Sequence, residues 1–134
     1  METRALIEAY YEAFNDDDSD AMLALLADDV VHDVNHGERR IGKDAFRAFN
    51  AEMARSYAER LADIIVMVSE DGKRASAEFT VNGFYVATAA GLPEAENQRY
   101  RLPAGTFFAV EGGLIARVTT YYNLADWLKQ IEAD

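Results

Sequence analysis

Hydrophobic residues recur at helical spacing in the first half of the chain. They fall every three or four residues from Thr3 to Phe14, and the turn-forming residues 15–18 then interrupt the pattern. A second helix is predicted from Ser19, capped by Asp18 or Ser19 itself, to the acidic pair at 28–29, followed by a short strand from Val30 to Val34. A third helix is predicted from Lys43 to Tyr57.

In the second half, apolar and polar residues alternate, and β-branched and aromatic residues are frequent, which is typical of strands. On the second of these strands, alternate residues from Ala75 to Tyr85 share one face, and on the last strand Leu114 and Ala116 are predicted to share the face of Val118. The predicted strands are Leu61 to Val68, Lys73 to Thr88, Gln98 to Val110 and Leu114 to Tyr122, with a loop at 89–97, a tight turn at 111–113 and a closing helix capped by Asn123.

This order of elements predicts one α+β domain over residues 1–134. The helices are expected to pack on one face of a curved antiparallel sheet and to enclose a cavity between helices and sheet.

Charge and composition exclude several classes of partner. The chain has 24 acidic and 13 basic residues, a formal net charge of −11 that repels nucleic acid and anionic lipid. No apolar stretch approaches the ~20 residues of a membrane span, and no secretory signal is visible after Met1. Because cysteine is absent, disulfides and thiolate sites are excluded. A cytoplasmic protein that binds a small apolar molecule fits these features best.

The segment from Ala27 to Gly37 concentrates the candidate chemistry. If Val30 and Val34 face the interior, His32 faces it too, where a neutral imidazole can act as a base. The alternative is a core histidine whose ring nitrogens are satisfied by neighbours. Asp33 has the opposite parity and becomes the alternative base only if the strand is bulged.

Tyr10 is a further candidate site residue. Tyr10 lies on the apolar face of the first helix, where it either packs as a core aromatic or donates to a ligand oxygen. The other predicted contacts with a ligand are Phe14, Asn35, Phe46, Phe49, Phe79, Val81, Gly83, Tyr85, Thr106, Phe108, Val118, Thr120 and Tyr122.

Metal chemistry and cofactor chemistry are not favoured. His32, Asp33 and His36 lie close in sequence, but alternate residues of a strand face opposite ways and no matched third ligand is evident, so neither a metal nor a cofactor is predicted. Epoxide hydrolysis is not favoured either. It would require paired carboxylates joined through arginine, whereas the inward strand positions are predicted to be apolar, aromatic or hydroxyl-bearing.

Four segments carry a family resemblance. Over essentially its whole length the chain resembles the nuclear-transport-factor-2-like superfamily, and within it the SnoaL-like and ketosteroid isomerase-related proteins. The segments are Tyr10 with Phe14-Asn15, Leu25 to Val30, Gly37 with Ile41 to Phe46, and Gly113 to Val118.

The resemblance implies a cone-shaped sheet around a conical pocket, and an outer sheet face that pairs two copies of the chain into a homodimer. The isomerase tyrosine that donates to the enolate oxygen falls on Tyr10. The catalytic carboxylate falls on Val34 in an ungapped alignment, or on Asp33 if the alignment slips by one residue. The second oxyanion donor falls on Thr106.

Three functional hypotheses therefore stay open. The leading hypothesis is a cofactor-independent proton-transfer enzyme, an isomerase, cyclase or dehydratase, acting on an apolar carbonyl-bearing substrate. His32 or Asp33 would take the proton, and Tyr10 with Thr106 or Tyr122 would stabilise the oxygen. The alternatives are a non-catalytic binding protein for a small apolar ligand, or a dimeric association module with a vestigial pocket.

Overall fold

A curved six-stranded sheet organises the computed structural model of the protein, which describes residues 1–132. Four helices accompany the sheet, and the hydrophobic core lies between its concave face and α1. The elements are α1 (Thr3–Asn15), α2 (Ser19–Ala24), β1 (Leu26–Val34), β2 (Arg40–Ile41), α3 (Lys43–Ser56), β3 (Tyr57–Val68), β4 (Arg74–Tyr85), β5 (Gln98–Glu111), β6 (Leu114–Tyr122) and α4 (Leu124–Gln130).

The strand order is β2-β1-β6-β5-β4-β3, so the sheet is open, with β2 and β3 at its edges. Neighbouring strands run antiparallel, with one exception: β1 and β6 are parallel. A parallel pair needs a long connection between its strands, and here that connection includes α3 and four strands. The α+β class is as predicted, whereas the sheet is mixed rather than wholly antiparallel.

Long-range pairing moves two predicted boundaries. The second helix ends at Ala24 rather than at the acidic pair, because β1 already begins at Leu26, which pairs with Ile115 of β6. In addition, the backbone N–H of Ile115 donates to the carbonyl of Leu25 at 2.9 Å. Similarly, β3 begins at Tyr57 rather than Leu61, since residues 57–62 pair with β4. This earlier start adds two inward positions to the sheet.

A bulge in β3 changes which residues face the core. Its pairing with β4 shifts between Ala62 and Ile65, and Asp63 between them has a φ of 55°. Before the bulge the odd-numbered Leu61 is buried, whereas after it Ile65 is 53% exposed. One extra residue in a strand reverses the face of every residue that follows.

A similar irregularity overturns one prediction for β6. Leu114 is exposed, and its neighbour Ile115 is fully buried, so Leu114 does not share the face of Val118. The cause is a register shift: Ala109 pairs with Arg117, but the next residue of β5 pairs with Ile115. The residue between, Ala116, is the extra one. By contrast, the predicted inward face of β4 from Ala75 to Tyr85 is confirmed, because its alternate residues are buried.

The convex face of the sheet carries large apolar side chains that are 41–53% exposed, namely Ile65, Met67, Phe84, Phe107 and Tyr121. The pairing of two copies through this face stays a prediction. In residues 1–132, no helix is both long enough and apolar enough to cross a membrane.

Candidate active site

A cavity of about 150 Å³ lies between the concave face of the sheet, α1 and α3, and its walls are mostly apolar. It adjoins a cleft of about 240 Å³ toward the start of α2, and the two share Phe14, Met22, Asn50, Met53 and Glu59 in their linings. The predicted site residues that line the cavity are Tyr10, Phe14, His32, Phe46, Phe49, Phe79, Val81, Thr106, Thr120 and Tyr122.

His32 enters the cavity from β1 and is only 5% exposed. Its ring packs against two aromatic rings of α3, with centroids 4.5 Å from Phe46 and 4.9 Å from Phe49. Among the described residues, no group hydrogen-bonds to the buried Nδ1 atom. An unpaired buried polar atom destabilises a protein, so it calls for a functional explanation.

The surroundings of His32 keep its imidazole neutral. Burial lowers its pKa to about 4, and the positive charge of Arg40 adds to this effect, while Asp33 opposes it. The Arg40 guanidinium lies 4.5 Å from the centre of the Phe49 ring. Because the pKa lies well below 7, the ring carries a free lone pair at neutral pH.

Asp33 lies on the opposite face of β1 and does not line the cavity. Its carboxylate accepts two hydrogen bonds from Arg39, at 2.9 and 3.0 Å, and one from the Thr119 hydroxyl at 3.2 Å. These donors, the Arg39 hydrogen bonds foremost, lower the pKa of Asp33 below its ordinary value. Because β1 has no bulge at this point, the strand alternation holds, and the geometry offers Asp33 no access to a ligand in the cavity.

Two adjacent tyrosines of α1 face the cavity. The Tyr10 and Tyr11 rings meet edge to face, 5.1 Å apart, and both side chains are buried. Burial raises the pKa of both hydroxyls, so they stay protonated and can act only as neutral donors or acceptors. In residues 1–132 the Tyr11 hydroxyl has no hydrogen-bond partner. Tyr10 is the predicted donor, and Tyr11 is an addition that the structure supplies.

Glu59 of β3 brings a carboxylate to the same cavity. The Tyr100 hydroxyl donates a hydrogen bond to Glu59 Oε2. Burial raises the pKa of Glu59, and the Tyr100 hydrogen bond opposes that shift. Sequence reasoning missed Glu59 because it began the strand at Leu61. The signal was available, since Glu59 has the parity of Leu61 on a strand extended backward.

Five predicted ligand contacts do not line the cavity: Asn35, Gly83, Tyr85, Phe108 and Val118. The Asn35 side chain instead accepts from the Tyr122 backbone N–H at 2.9 Å, and Phe108 lies behind Tyr10, with ring centroids 5.6 Å apart. Gly83 does not enlarge the cavity, because the Tyr100 ring covers it.

Tyr85 and Val118 serve the framework rather than the cavity. The Tyr85 hydroxyl donates to the Pro93 carbonyl at 2.6 Å and accepts from the Ala89 N–H at 2.9 Å. It thereby holds the loop that follows β4. Val118 is 1% exposed, so its side chain is part of the packed core.

The cluster His32, Asp33 and His36 does not assemble into a metal site. The first two residues face opposite sides of β1, and His36 is exposed, with its ring 5.8 Å from that of Tyr121. Within residues 1–132, no group of three or more histidine, aspartate or glutamate side chains is arranged to hold an ion.

Solved structures similar to this chain include three candidate polyketide cyclases. The protein from Pseudomonas putida KT2440 is 57% identical, with a TM-score of 0.96, and the match covers 98% of each chain. The protein from Silicibacter sp. TM1040 is 53% identical, with a TM-score of 0.95 and coverage of 98% of this chain and 96% of that one. The protein from Xanthomonas campestris pv. campestris is 52% identical, with a TM-score of 0.95 and coverage of 97% and 96%.

No curated protein matches the chain significantly. The family model of the SnoaL-like domain matches residues 7–118, which include most of α1, all of α2 and α3, the first five strands and the first half of β6. Every predicted site residue except Thr120 and Tyr122 falls within this match. The chain therefore belongs to the SnoaL-like domain family.

Proposed function

We propose that the protein is an enzyme that transfers protons on a small, apolar, carbonyl-bearing molecule without a cofactor. The reactions of this class are isomerisation, cyclisation and dehydration. The similarity to candidate polyketide cyclases at 52–57% identity supports a small-molecule enzyme. Fold alone would not, since one fold hosts many functions.

The observation that carries the proposal is His32 in the lining of an apolar cavity, with an Nδ1 atom that has no hydrogen-bond partner in residues 1–132. A neutral imidazole there accepts a proton from a carbon next to the ligand carbonyl, and the electron pair of the broken C–H bond moves onto the carbonyl oxygen. Since a base of low pKa is weak, the reaction depends on strong stabilisation of that oxygen. Tyr10 and Tyr11 bring two hydroxyl donors to the cavity lining, which also includes Thr106 and Tyr122.

Cavity size limits the ligand. An engineered apolar cavity of ~150 Å³ binds benzene, whereas pockets for drug-sized molecules occupy ~300 Å³ or more. The cavity of about 150 Å³ therefore suits a single six-membered ring, and substituents extend into the adjoining cleft. This favours a monocyclic ketone over a fused polycyclic substrate.

The test uses cyclohex-3-en-1-one, which isomerises to the conjugated cyclohex-2-en-1-one with a rise in ultraviolet absorbance. Binding of the ketone is followed separately by NMR chemical shifts. We expect turnover by the wild type and a loss of about 10²–10⁴-fold in His32→Gln, the usual contribution of a general base. His36→Gln is the matched control, since His36 is exposed, and its rate should stay within about twofold of wild type.

Each other outcome is informative. If the ketone binds in the cavity but is not isomerised, the protein is a binding protein for apolar ligands rather than this enzyme. If the ketone does not bind, the proposed class of ligand is wrong. If His36→Gln loses as much activity as His32→Gln, the assignment of the base is wrong.

A further inference from the structure

The cavity is lined by an imidazole and a carboxyl group that come from strands far apart in the sheet. His32 belongs to β1, the second strand in the sheet order, and Glu59 belongs to β3, which is the last. Because the sheet curves around the core, both side chains reach the same cavity of about 150 Å³. A ligand that fills this space is therefore flanked by an imidazole and a carboxyl group.

The absence of a side chain at Gly83 of β4 allows Tyr100 to reach the Glu59 carboxyl group. Glu59 pairs with Gly83, and Gly83 pairs with Tyr100, so the three residues lie in one row across three strands. A Cβ atom at Gly83 would lie 2.3 Å from Cζ of Tyr100, which shows that the tyrosine ring occupies the space of the missing side chain. The Tyr100 hydroxyl thereby reaches across the middle strand to Glu59 Oε2.

A purely structural role explains this arrangement poorly. A buried tyrosine hydroxyl needs an acceptor, but a glutamine oxygen or a backbone carbonyl would serve. A carboxyl group beside an apolar cavity carries an additional desolvation cost. Glu59 also lines the adjoining cleft, so a group there can exchange its proton with solvent between turnovers.

We propose that Glu59 is the second catalytic residue of the cavity, positioned by Tyr100, and that it donates a proton to a hydroxyl oxygen of the ligand. This inference rests on the proposed function and specifies its substrate as a monocyclic β-hydroxy ketone. His32 removes the proton from the carbon next to the carbonyl, and that C–H electron pair forms the new C=C bond. The C–O bond breaks, its electron pair goes to oxygen, and the Glu59 proton completes the leaving water.

The proton balance closes after release of the product. His32 has gained one proton and Glu59 has lost one, so a single transfer through solvent in the cleft restores both groups. The raised pKa of Glu59 is consistent with its role as the acid, and the lowered pKa of His32 with its role as the base.

The experiment compares two probes that give the same product. Dehydration of 3-hydroxycyclohexanone to cyclohex-2-en-1-one needs an acid for the leaving hydroxyl, whereas isomerisation of cyclohex-3-en-1-one loses no hydroxyl group. In Glu59→Gln we expect kcat for dehydration to fall by about 10²-fold or more, the usual effect of a general acid, while isomerisation stays within about threefold of wild type. Glu78→Gln is the matched control, because Glu78 is exposed on the convex face of β4, and it should leave both rates unchanged.

Tyr100→Phe tests the positioning role. Because the Tyr100 hydrogen bond lowers the pKa of Glu59, its removal should raise that pKa and move the alkaline limb of the dehydration profile to higher pH. A tyrosine that only filled space would leave the limb in place. Carbon-13 NMR of the Glu59 carboxyl group gives the same titration without any turnover, so this part of the test stands even if Glu59→Gln folds poorly.

Failure of this inference differs from failure of the proposed function. If the wild type isomerises the enone but does not dehydrate the hydroxyketone, Glu59 is not the acid, while the proton-transfer function survives. Equal loss of both reactions in folded Glu59→Gln would also overturn the inference. So would a Glu59 carboxyl that titrates in its ordinary range and does not respond to Tyr100→Phe.

Discussion

Two consecutive residues of β1 lie in different environments, because one side chain is on the concave face of the sheet and the other is on the convex face. His32 lies on the concave face among apolar rings, its pKa is lowered to about 4, and no group of the described chain hydrogen-bonds to its Nδ1 atom. Asp33 lies on the convex face, and Arg39 and Thr119 satisfy its carboxylate and lower its pKa. A buried group without a hydrogen-bond partner can still bind to a ligand. The Asp33 carboxylate cannot do so as readily, because Arg39 and Thr119 already donate hydrogen bonds to it.

The same contrast holds along other strands. On the concave face, Glu59 is held by a tyrosine beside the cavity, whereas Glu78 on the convex face is exposed. On the concave face Gly83 makes room for a ring, whereas a Cβ atom at Gly105 would meet only the Ala77 carbonyl oxygen, at 3.7 Å. Substitutions on the concave face should therefore change stability or activity more than matched substitutions on the convex face.

We expect the largest effect on stability from His32, because this residue makes the free energy of unfolding fall at acidic pH. The pKa of His32 is about 4 in the folded protein and about 6.5 in the unfolded chain, so the unfolded chain binds more protons between these values. Stability therefore falls as the pH drops from about 6.5 to about 4, by about 3 kcal/mol from this residue. Denaturant unfolding at several pH values measures the difference between wild type and His32→Gln.

His36→Gln provides the control for this dependence, because the exposed ring of His36 should contribute little to it. If His32→Gln keeps the full acid dependence of the wild type, then His32 is not a buried neutral imidazole. The central contrast between the two faces of β1 would then be wrong.

A smaller effect is expected from Gly83→Ala. The added methyl group would collide with the Tyr100 ring, which must move away, and overpacking of this kind costs about 1–3 kcal/mol. The displaced Tyr100 should also lose its hydrogen bond to Glu59. Gly105→Ala is the matched change on the convex face, and we expect its effect to stay within about 0.5 kcal/mol. Equal losses of stability in the two variants would contradict the close packing of Tyr100 over Gly83.

The smallest effect is expected from Asp33→Asn. The Asp33 carboxylate pairs with Arg39, whose side chain is 59% exposed, and such pairs contribute about 1 kcal/mol or less. We expect the free energy of unfolding to fall by no more than this, and isomerisation of cyclohex-3-en-1-one to stay within about twofold of wild type. Activity that falls as far as in His32→Gln would make Asp33 the base and reverse the assignment of the two faces.

Local patterns predicted much of the fold. The alternation from Ala75 to Tyr85 gave the buried face of β4, and the turn at 111–113 gave the hairpin between β5 and β6. Asn123 caps α4 as expected, since its side chain accepts from the Asp126 N–H at 3.0 Å. These features depend on neighbouring residues alone, so a short stretch of sequence contains the information they need.

The limits of sequence reasoning lie where pairing between distant strands decides the outcome. The early starts of β1 and β3 depend on partners in β6 and β4. The bulges near Asp63 and Ala116 then change which side chains face the core. Because one residue of register reverses a face, periodicity within a segment could not locate these changes.

The sequence by itself determined the α+β class, the inward face of β4 and the candidacy of His32 as a base. Only the tertiary structure decided that Asp33 faces away from the cavity and that Glu59 faces into it. It also decided that the Tyr100 ring, rather than a ligand, fills the space beside Gly83. The physical reason is that a helix or turn is stabilised by neighbours in sequence, whereas a cavity is assembled from side chains of strands that meet only after the sheet has formed.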